Sequence, residues 1–258
     1  MKRLRKALGP LAHALMRNVT YRMNQGPSRG MKRKGGFGFL YKPPSREETF
    51  ITSLNLEGKV VYDIGSHIGL FTMYFAKAVG PNGQVIAFEP HPLFFRKVSE
   101  HIAINKLDNA TARNFAIGGE KGMATMTFRP GFGGTPSIEP GHQQNMMREK
   151  GIMSADVPVD TIDNQIAENN LPPPNFVKMD VEGFEVPALL GMRETLEKHH
   201  PALFIELHGV TEEMQVENAQ KVVDYLVGFG YDITHVESGD KIVSANAPSA
   251  KMGHLYCV

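Results

Sequence analysis

The chain has 258 residues, with 28 Lys and Arg against 27 Asp and Glu, a formal charge of +1 and one cysteine, Cys257. A lone cysteine excludes a disulfide framework and a cysteine-based zinc site, and no apolar run approaches the roughly 18 residues that a membrane-spanning helix needs. A soluble, cytoplasmic protein with one sizeable core is expected, at most peripheral at the inner membrane surface.

The balance of charge conceals an asymmetry. Twelve basic residues, Lys2 to Arg46, precede the first acidic one, Glu47, which leaves 16 basic against 27 acidic residues downstream. Leu4, Leu8, Leu11 and Leu15 recur among these charges at helical spacing, interrupted near Gly9 and Pro10. A helix of this kind suits an anionic membrane surface or an anionic acceptor. Equally, it suits packing on the acidic body or on a second subunit of a homodimer. Residues 1–46 are therefore set apart as a basic arm, and 47–258 as the body.

Gly35 and Gly36, then Phe37 to Tyr41 and Pro43-Pro44, read as a short strand and turn. Ser45 is the expected N-cap of a helix to Leu54, with Glu47 and Glu48 in its first turn. Strands are then expected at Val60 to Ile64, Gln84 to Glu89, Ala112 to Ile117, Phe176 to Asp180 and Ala202 to Glu206. Helices are expected from near Ile68, Leu93, Asp160, Val186 and Thr211. Continuous apolar strands imply cover on both faces, hence a mostly parallel, doubly wound α/β sheet. The helix containing "IGLFTMYFAKAV" is apolar nearly all round, so the basic arm is a candidate to lie across it. "GGEKGMATMTF", Gly118 to Phe128, reads as a hairpin turning at Glu120 to Gly122. The Gly- and Pro-rich stretch 129–156 lacks periodicity and reads as a lid-like insertion on the acceptor side. Tyr231 to Ile233, Lys241 to Ser244 and His254 to Val258 read as closing antiparallel strands.

The first strand turns into its helix through Asp63-Ile-Gly65-Ser66-His67-Ile-Gly69, where open α/β sheets bind ligands. Two glycines let the backbone approach a ligand, but the dinucleotide pattern G-x-G-x-x-G is absent, and Asp63 would repel a diphosphate. Glu89 ends the next strand 24 residues after Gly65, a spacing that suits hydrogen bonds from adenosine ribose hydroxyls. An ammonium and an adenosine without a diphosphate describe S-adenosylmethionine. Its expected site is Asp63, Gly65, Ser66, His67, Gly69, Glu89, Ala116 and Asp180. "VKMDVEGFE" and "PALFIELHG" bring Asp180, Glu182, Glu206 and His208 to the same sheet edge. These are the candidate catalytic residues, with Asp180 nearest the methyl group and His208 best suited as a base by its ordinary pKa. The same four could instead hold a divalent metal ion that acidifies a hydroxyl. Glu182 and Glu185 also suit the N-terminal turn of the following helix, and Lys178 suits an ion pair with a neighbouring acid.

"KVVYDIGSHIGLFTMYFA", "VIAFEPHP", "NFAIGGEKG", "VDTID", "VKMDVEGFEVPALLGM" and "PALFIELHG" resemble the FkbM-type S-adenosylmethionine-dependent methyltransferases, from about Gly36 to Gly209. The resemblance implies a Rossmann-like class I methyltransferase fold, seven strands ordered 3-2-1-4-5-7-6, with residues 47–258 as the methyltransferase domain. It implies O-methylation of a saccharide, glycolipid or other small hydroxylated metabolite. Ser66 and His67 depart from the D-x-G-A-N-x-G that the family commonly shows. Two alternatives stand beside this reading: a nucleic-acid methyltransferase whose arm contacts phosphates, and an inactive membrane-surface or scaffold protein. Against nucleic acid, the arm lacks interleaved aromatic residues, and Asp180-Val-Glu-Gly stands where a base-handling motif would.

Overall fold

A computed structural model describes residues 15–37, 42–129, 136–147 and 151–258. The leucine-spaced helix of the arm falls almost entirely outside these residues, as do 38–41 of the expected Phe37 to Tyr41 strand. The chain begins with a hairpin of β1 (Thr20–Arg22) and β2 (Lys32–Lys34) and continues into helix α1 (Arg46–Ser53). Ser45 caps α1 as its sequence suggests: its side chain accepts from Glu48 N and the Glu48 carboxylate accepts from Ser45 N, both at 3.0 Å.

The body alternates β3 (Val60–Ile64), α2 (Leu70–Ala78), β4 (Gln84–Phe88), α3 (Pro92–Asn105) and β5 (Ala110–Arg113). After β6 (Ala116–Ile117) and β7 (Gly122–Phe128) come α4 (Pro140–Met146), β8 (Met153–Asp160) and α5 (Ile162–Asn169). Then follow β9 (Phe176–Met179), α6 (Glu185–Leu190), α7 (Arg193–His199), β10 (Ala202–Leu207) and α8 (Glu212–Gly228). The chain closes with β11 (Ile233–His235), β12 (Lys241–Ile242), a 3-10 turn at Ser244–Ala250 and β13 (Gly253–Cys257).

The main sheet runs β12-β11-β13-β10-β9-β3-β4-β5. Its pairs from β10 to β5 are parallel, and β13, β11 and β12 add antiparallel pairs. Numbered along the fold, the first seven strands follow the order 3-2-1-4-5-7-6, with two-residue β12 appended at one edge. From β3 the chain proceeds outward to β5 and then returns to β9 on the other side of β3. That reversal opens a crevice between the carboxyl ends of β3 and β9.

Period-two alternation decides which side chains meet there. On β3, β9 and β10 one face sends Tyr62, Ile64, Val177, Met179, Leu203 and Ile205 into the larger core. The opposite face sends Val61, Phe176 and Phe204 onto Ile51 and Phe75. Asp63, Lys178 and Glu206 share this second face, further along their strands, so three charges lie side by side where the apolar layer ends.

Several features differ from the sequence reading. Gly118 to Phe128 is not a two-stranded hairpin, because β8 inserts between β6 and β7, parallel to one and antiparallel to the other. The expected strand Ala112 to Ile117 divides into β5, in the main sheet, and β6, in the small one. The insertion contains helix α4 and the start of β8, whose register with β7 only the fold supplies. Helix α2 begins at Leu70 rather than Ile68, since Gly69 takes a left-handed conformation at φ 78° as its N-cap. Among the described residues, no helix is long and apolar enough to cross a membrane.

Candidate active site

The loops after β3, β4 and β9 enclose two adjoining cavities. The first, of about 280 Å³, is lined by Glu89, Phe94, Ala116, Ile117, Glu182 and Phe184 among others. The second, of about 530 Å³, is lined by Asp63, Ser66, Phe71, Lys178 and residues of the arm. Gly65, His67 and Asp180 border both, so one elongated ligand can occupy the pair.

Gly65 sits at φ 80°, and a Cβ there would overlap the carbonyl oxygen of Asp180. The two strand ends can approach this closely only with glycine. His67 is the next residue with positive φ, at 51°. Asn and His are among the few side chains that tolerate this region, so the backbone at this position admits His67 at little cost. Its N–H donates to Glu89 Oε2 at 2.7 Å, and its ring packs edge-on to Phe94 with centroids 4.2 Å apart. Burial lowers the His67 pKa and keeps the ring neutral.

Glu89 accepts from the N–H groups of His67 and His91, at 2.7 and 2.8 Å, one on each oxygen. Burial nonetheless raises its pKa to about 8, against the lowering effect of those bonds. In the unfolded chain the group titrates near 4.5, so between these values the folded state holds the extra proton. The stability Glu89 contributes is full below the unfolded pKa and is lost as the pH rises through about 8. The melting temperature of the ligand-free protein is therefore expected to fall between about pH 5 and about pH 8.5. Glu89→Gln should flatten part of that fall, and an unaltered slope in the variant would remove Glu89 as its source.

Asp63 is fully buried and accepts from Thr72 Oγ1 at 2.6 Å through Oδ2. Its other oxygen, Oδ1, is buried without a partner, as is Ser66 Oγ. Burial raises the Asp63 pKa, opposed by the charge of Lys178. Lys178 is buried 3.3 Å from Asp180 and 3.5 Å from Glu47. Its desolvation is outweighed by these carboxylates, so its pKa is raised and the ammonium is retained.

The second constellation comes together around His208. Its Nε2 lies 3.8 Å from Asp180, 3.7 Å from Glu182 and 3.7 Å from Glu206. Its Nδ1 is 2.9 Å from Glu185, whose carboxylate is fully buried and also accepts from Gly183 N and Asn218 Nδ2. Glu185 thus orients the ring, a role the sequence patterns did not single out, since it also fits an acid in the first turn of α6. Burial lowers the His208 pKa, but the Glu185 bond and the Glu182 and Asp180 charges overcome this and raise it to about 9. An imidazole so placed carries its proton at neutral pH, contrary to the role of base expected from its ordinary pKa. Glu182 is pushed by burial up to about 7, into the neutral range. It also takes a left-handed conformation, φ 54°, held by Ser137 Oγ donating to its carbonyl at 3.1 Å and by His142 Nδ1 at 2.8 Å. The α4 region of the insertion is therefore fastened to the loop after β9.

One ligand atom each from Asp180, Glu182 and His208 lies close enough to the others to hold a metal ion, and the same is true of Glu47, Glu206 and His254. Glu206 and His208 line neither of the two joined cavities; His208 borders a separate cleft beside α8. Gly69 lines neither as well, and packs against Val98.

Comparisons with known proteins follow the same residues. The methyltransferase FkbM domain family matches residues 63–233. The 31-O-demethyl-FK506 methyltransferase FkbM of Streptomyces tacrolimicus is 25% identical over 242 residues, covering 83% of this chain and 89% of that protein. The hexuronic acid methyltransferase AglP of Haloferax volcanii is 27% identical over 162 residues, covering 62% of this chain and 60% of that protein. A crystal structure of methyltransferase FkbM from Methylobacillus flagellatus KT has a TM-score of 0.51 at 19% identity, covering 80% of this chain and 45% of that one. This chain thus spans less than two thirds of the length of two of the three. The family match opens at the buried Asp63 and takes in Glu89, the Asp180 to Glu185 turn and His208, and the chain belongs to the FkbM methyltransferase family.

Proposed function

We propose that the protein transfers the sulfonium methyl group of S-adenosylmethionine to a hydroxyl of a saccharide or other small hydroxylated metabolite. The observation that carries this reading is the joined pair of cavities, with ribose-ready Glu89 in one and the unpartnered carboxylate oxygen of Asp63 in the other. An adenosine fits the first and a methionine ammonium the second, which brings the sulfonium to Gly65 and Asp180 between them. An oxygen acceptor is supported by the O-demethyl substrate in the name of the FkbM relative, and the saccharide class by the name of the hexuronic acid methyltransferase.

Methyl transfer needs a near-linear approach of the acceptor oxygen and removal of its proton. Positioning supplies most of the acceleration, and a base adds about 10²–10⁴. Glu182 is the proposed proton acceptor, with protonated His208 stabilising the carboxylates around it. A second reading has a divalent ion on Asp180, Glu182 and His208, and one observation favours it. Glu47, Asp180, Glu182, Glu185 and Glu206 outnumber Lys178, His208 and His254 in this region, and Glu47 and Glu182 both have raised pKa values. Activity lost in EDTA and restored by Mg²⁺, Mn²⁺ or Zn²⁺ would select the ion.

The test of the main reading is thermal denaturation with S-adenosylhomocysteine, followed by methyl transfer to hexuronic acids, neutral sugars, macrolide alcohols and RNA. The ligand is expected to raise the melting temperature, Asp63→Ala and Glu89→Ala to abolish the rise, and a hydroxylated small molecule to take the methyl. No shift at millimolar ligand would end the cofactor assignment. Methylation of RNA alone would select the nucleic-acid reading.

A further inference from the structure

The basic arm does more than flank the body. Its β1-β2 hairpin is bonded to the helices beside the cofactor loop: Lys32 N donates to Asn105 Oδ1 at 2.7 Å, and Ser28 Oγ donates to Leu70 O at 2.5 Å. Buried His101 links it to the loop itself. Lys34 N donates to His101 Nε2 at 3.1 Å, while Nδ1 of the same ring lies 2.8 Å from the carbonyl of Ile68. Burial lowers the His101 pKa, consistent with a neutral ring that accepts on one nitrogen and donates from the other. The hairpin and the loop between Gly65 and Gly69 are thus one bonded unit.

That placement makes the arm a wall of the second cavity, through Met23, Gly26, Ser28 and Arg33. Arg33 stands opposite Tyr21 in the hairpin. Its Nε donates to Gly35 O at 3.1 Å, and no carboxylate among the described residues pairs with it. Gly36 lies directly beneath the guanidinium, where a Cβ would overlap it. Of the groups lining the cavity, Asp63 Oδ1 and Ser66 Oγ are buried without a partner and the Arg33 guanidinium has no carboxylate, whereas Glu47 Oε1, also without a hydrogen bond, is held 3.5 Å from the Lys178 ammonium. A buried carboxylate oxygen seeks a cation, and an unpaired guanidinium seeks a carboxylate or phosphate. A simple anion would meet Asp63 and a simple cation would meet Arg33. A zwitterionic α-amino acid head satisfies both.

We infer that Arg33 of the arm binds the carboxylate of the methionyl end of the cofactor, while Asp63 and Ser66 take its ammonium. The arm thereby completes the cofactor site rather than serving acceptor or membrane alone. This rests on the S-adenosylmethionine reading above and extends it to a residue outside the matched family span.

Calorimetric titration of the full chain separates the two assignments. The probes are S-adenosylhomocysteine, decarboxylated S-adenosylmethionine, which lacks the carboxylate, and 5′-methylthioadenosine, which lacks the whole amino acid head. Arg33→Ala and Arg33→Gln are expected to weaken S-adenosylhomocysteine by about 10- to 100-fold, the worth of a charge-assisted hydrogen bond. Binding of the other two ligands should stay within about twofold, since neither offers the carboxylate. Methylthioadenosine also reports whether each variant is folded. Equal loss for all three ligands, or unchanged S-adenosylhomocysteine affinity, would overturn the role of Arg33. Wild-type protein that binds none of the three would overturn the cofactor reading itself.

Discussion

Gly65→Ala is expected to eliminate S-adenosylhomocysteine binding and to lower the melting temperature by roughly 6–12 °C, which corresponds to on the order of 3 kcal/mol. Two costs combine. The backbone at φ 80° disfavours any Cβ, and the new methyl would overlap the Asp180 carbonyl oxygen. Relief requires β3 and the loop after β9 to part, which displaces Asp180 and opens the junction of the two cavities. Gly58 is the matching control: its φ is 71°, but no atom lies within 4 Å of its virtual Cβ. Gly58→Ala should cost only the backbone term, about 1–2 kcal/mol, and leave ligand binding intact. Differential scanning fluorimetry with and without ligand reads both. A Gly65→Ala protein that melts and binds like the wild type would mean that the close approach of the two strand ends is not needed.

The second large effect concerns His208 and the carboxylate behind it. His208→Ala removes the group facing Asp180, Glu182 and Glu206, and leaves three carboxylates crowded together. A fall in kcat of about 10²–10³, the worth of one preorganised electrostatic group, is expected, measured on whichever acceptor turns over, with S-adenosylhomocysteine affinity changed only a few fold because His208 lines neither cofactor cavity. Glu185 acts through His208 as a positioning residue. Glu185→Gln keeps the shape and one of the two acceptor positions, so it can still accept from Gly183 N or from Asn218 Nδ2 but not from both, and it removes the charge that fixes the imidazole. It should reduce kcat by about 10- to 100-fold with KM for the acceptor nearly unchanged. If both variants lose only thermal stability, with full turnover in the folded fraction, the pair is structural and the proton leaves by another route.

Much of this arrangement could be read before folding was considered. Asp63 and Glu89 are recognisable because each ends a short apolar strand, and because glycines follow the first at a spacing that excludes a diphosphate. A lysine inside a buried strand needs an acid beside it, and Asp180 and Glu47 supply two for Lys178. The capping box at Ser45 and the alternation of strand and helix are also local, set by residues within one turn of each other.

What resisted reading is what depends on residues far apart in sequence. The small sheet, in which β8 separates β6 from β7, follows from a register that neither strand specifies alone. The sequence brings Asp180, Glu182, Glu206 and His208 to one sheet edge but gives neither their distances nor the hydrogen bond from Glu185, and it is that bond, with the charges of Glu182 and Asp180, that reverses the effect of burial on the His208 pKa. In the sequence Arg33 is one cation among the twelve that precede Glu47. Its distinction is that the hairpin and His101 hold it over the cavity without a carboxylate partner. The sequence by itself determined the strand ends, the turn backbone and the chemical kinds of side chain offered to a ligand, because these are fixed by local propensity and period. Only the tertiary structure decided which charges face one another and which remain unfulfilled, because electrostatic energy depends on distance in space and on the loss of water, neither of which is written along the chain.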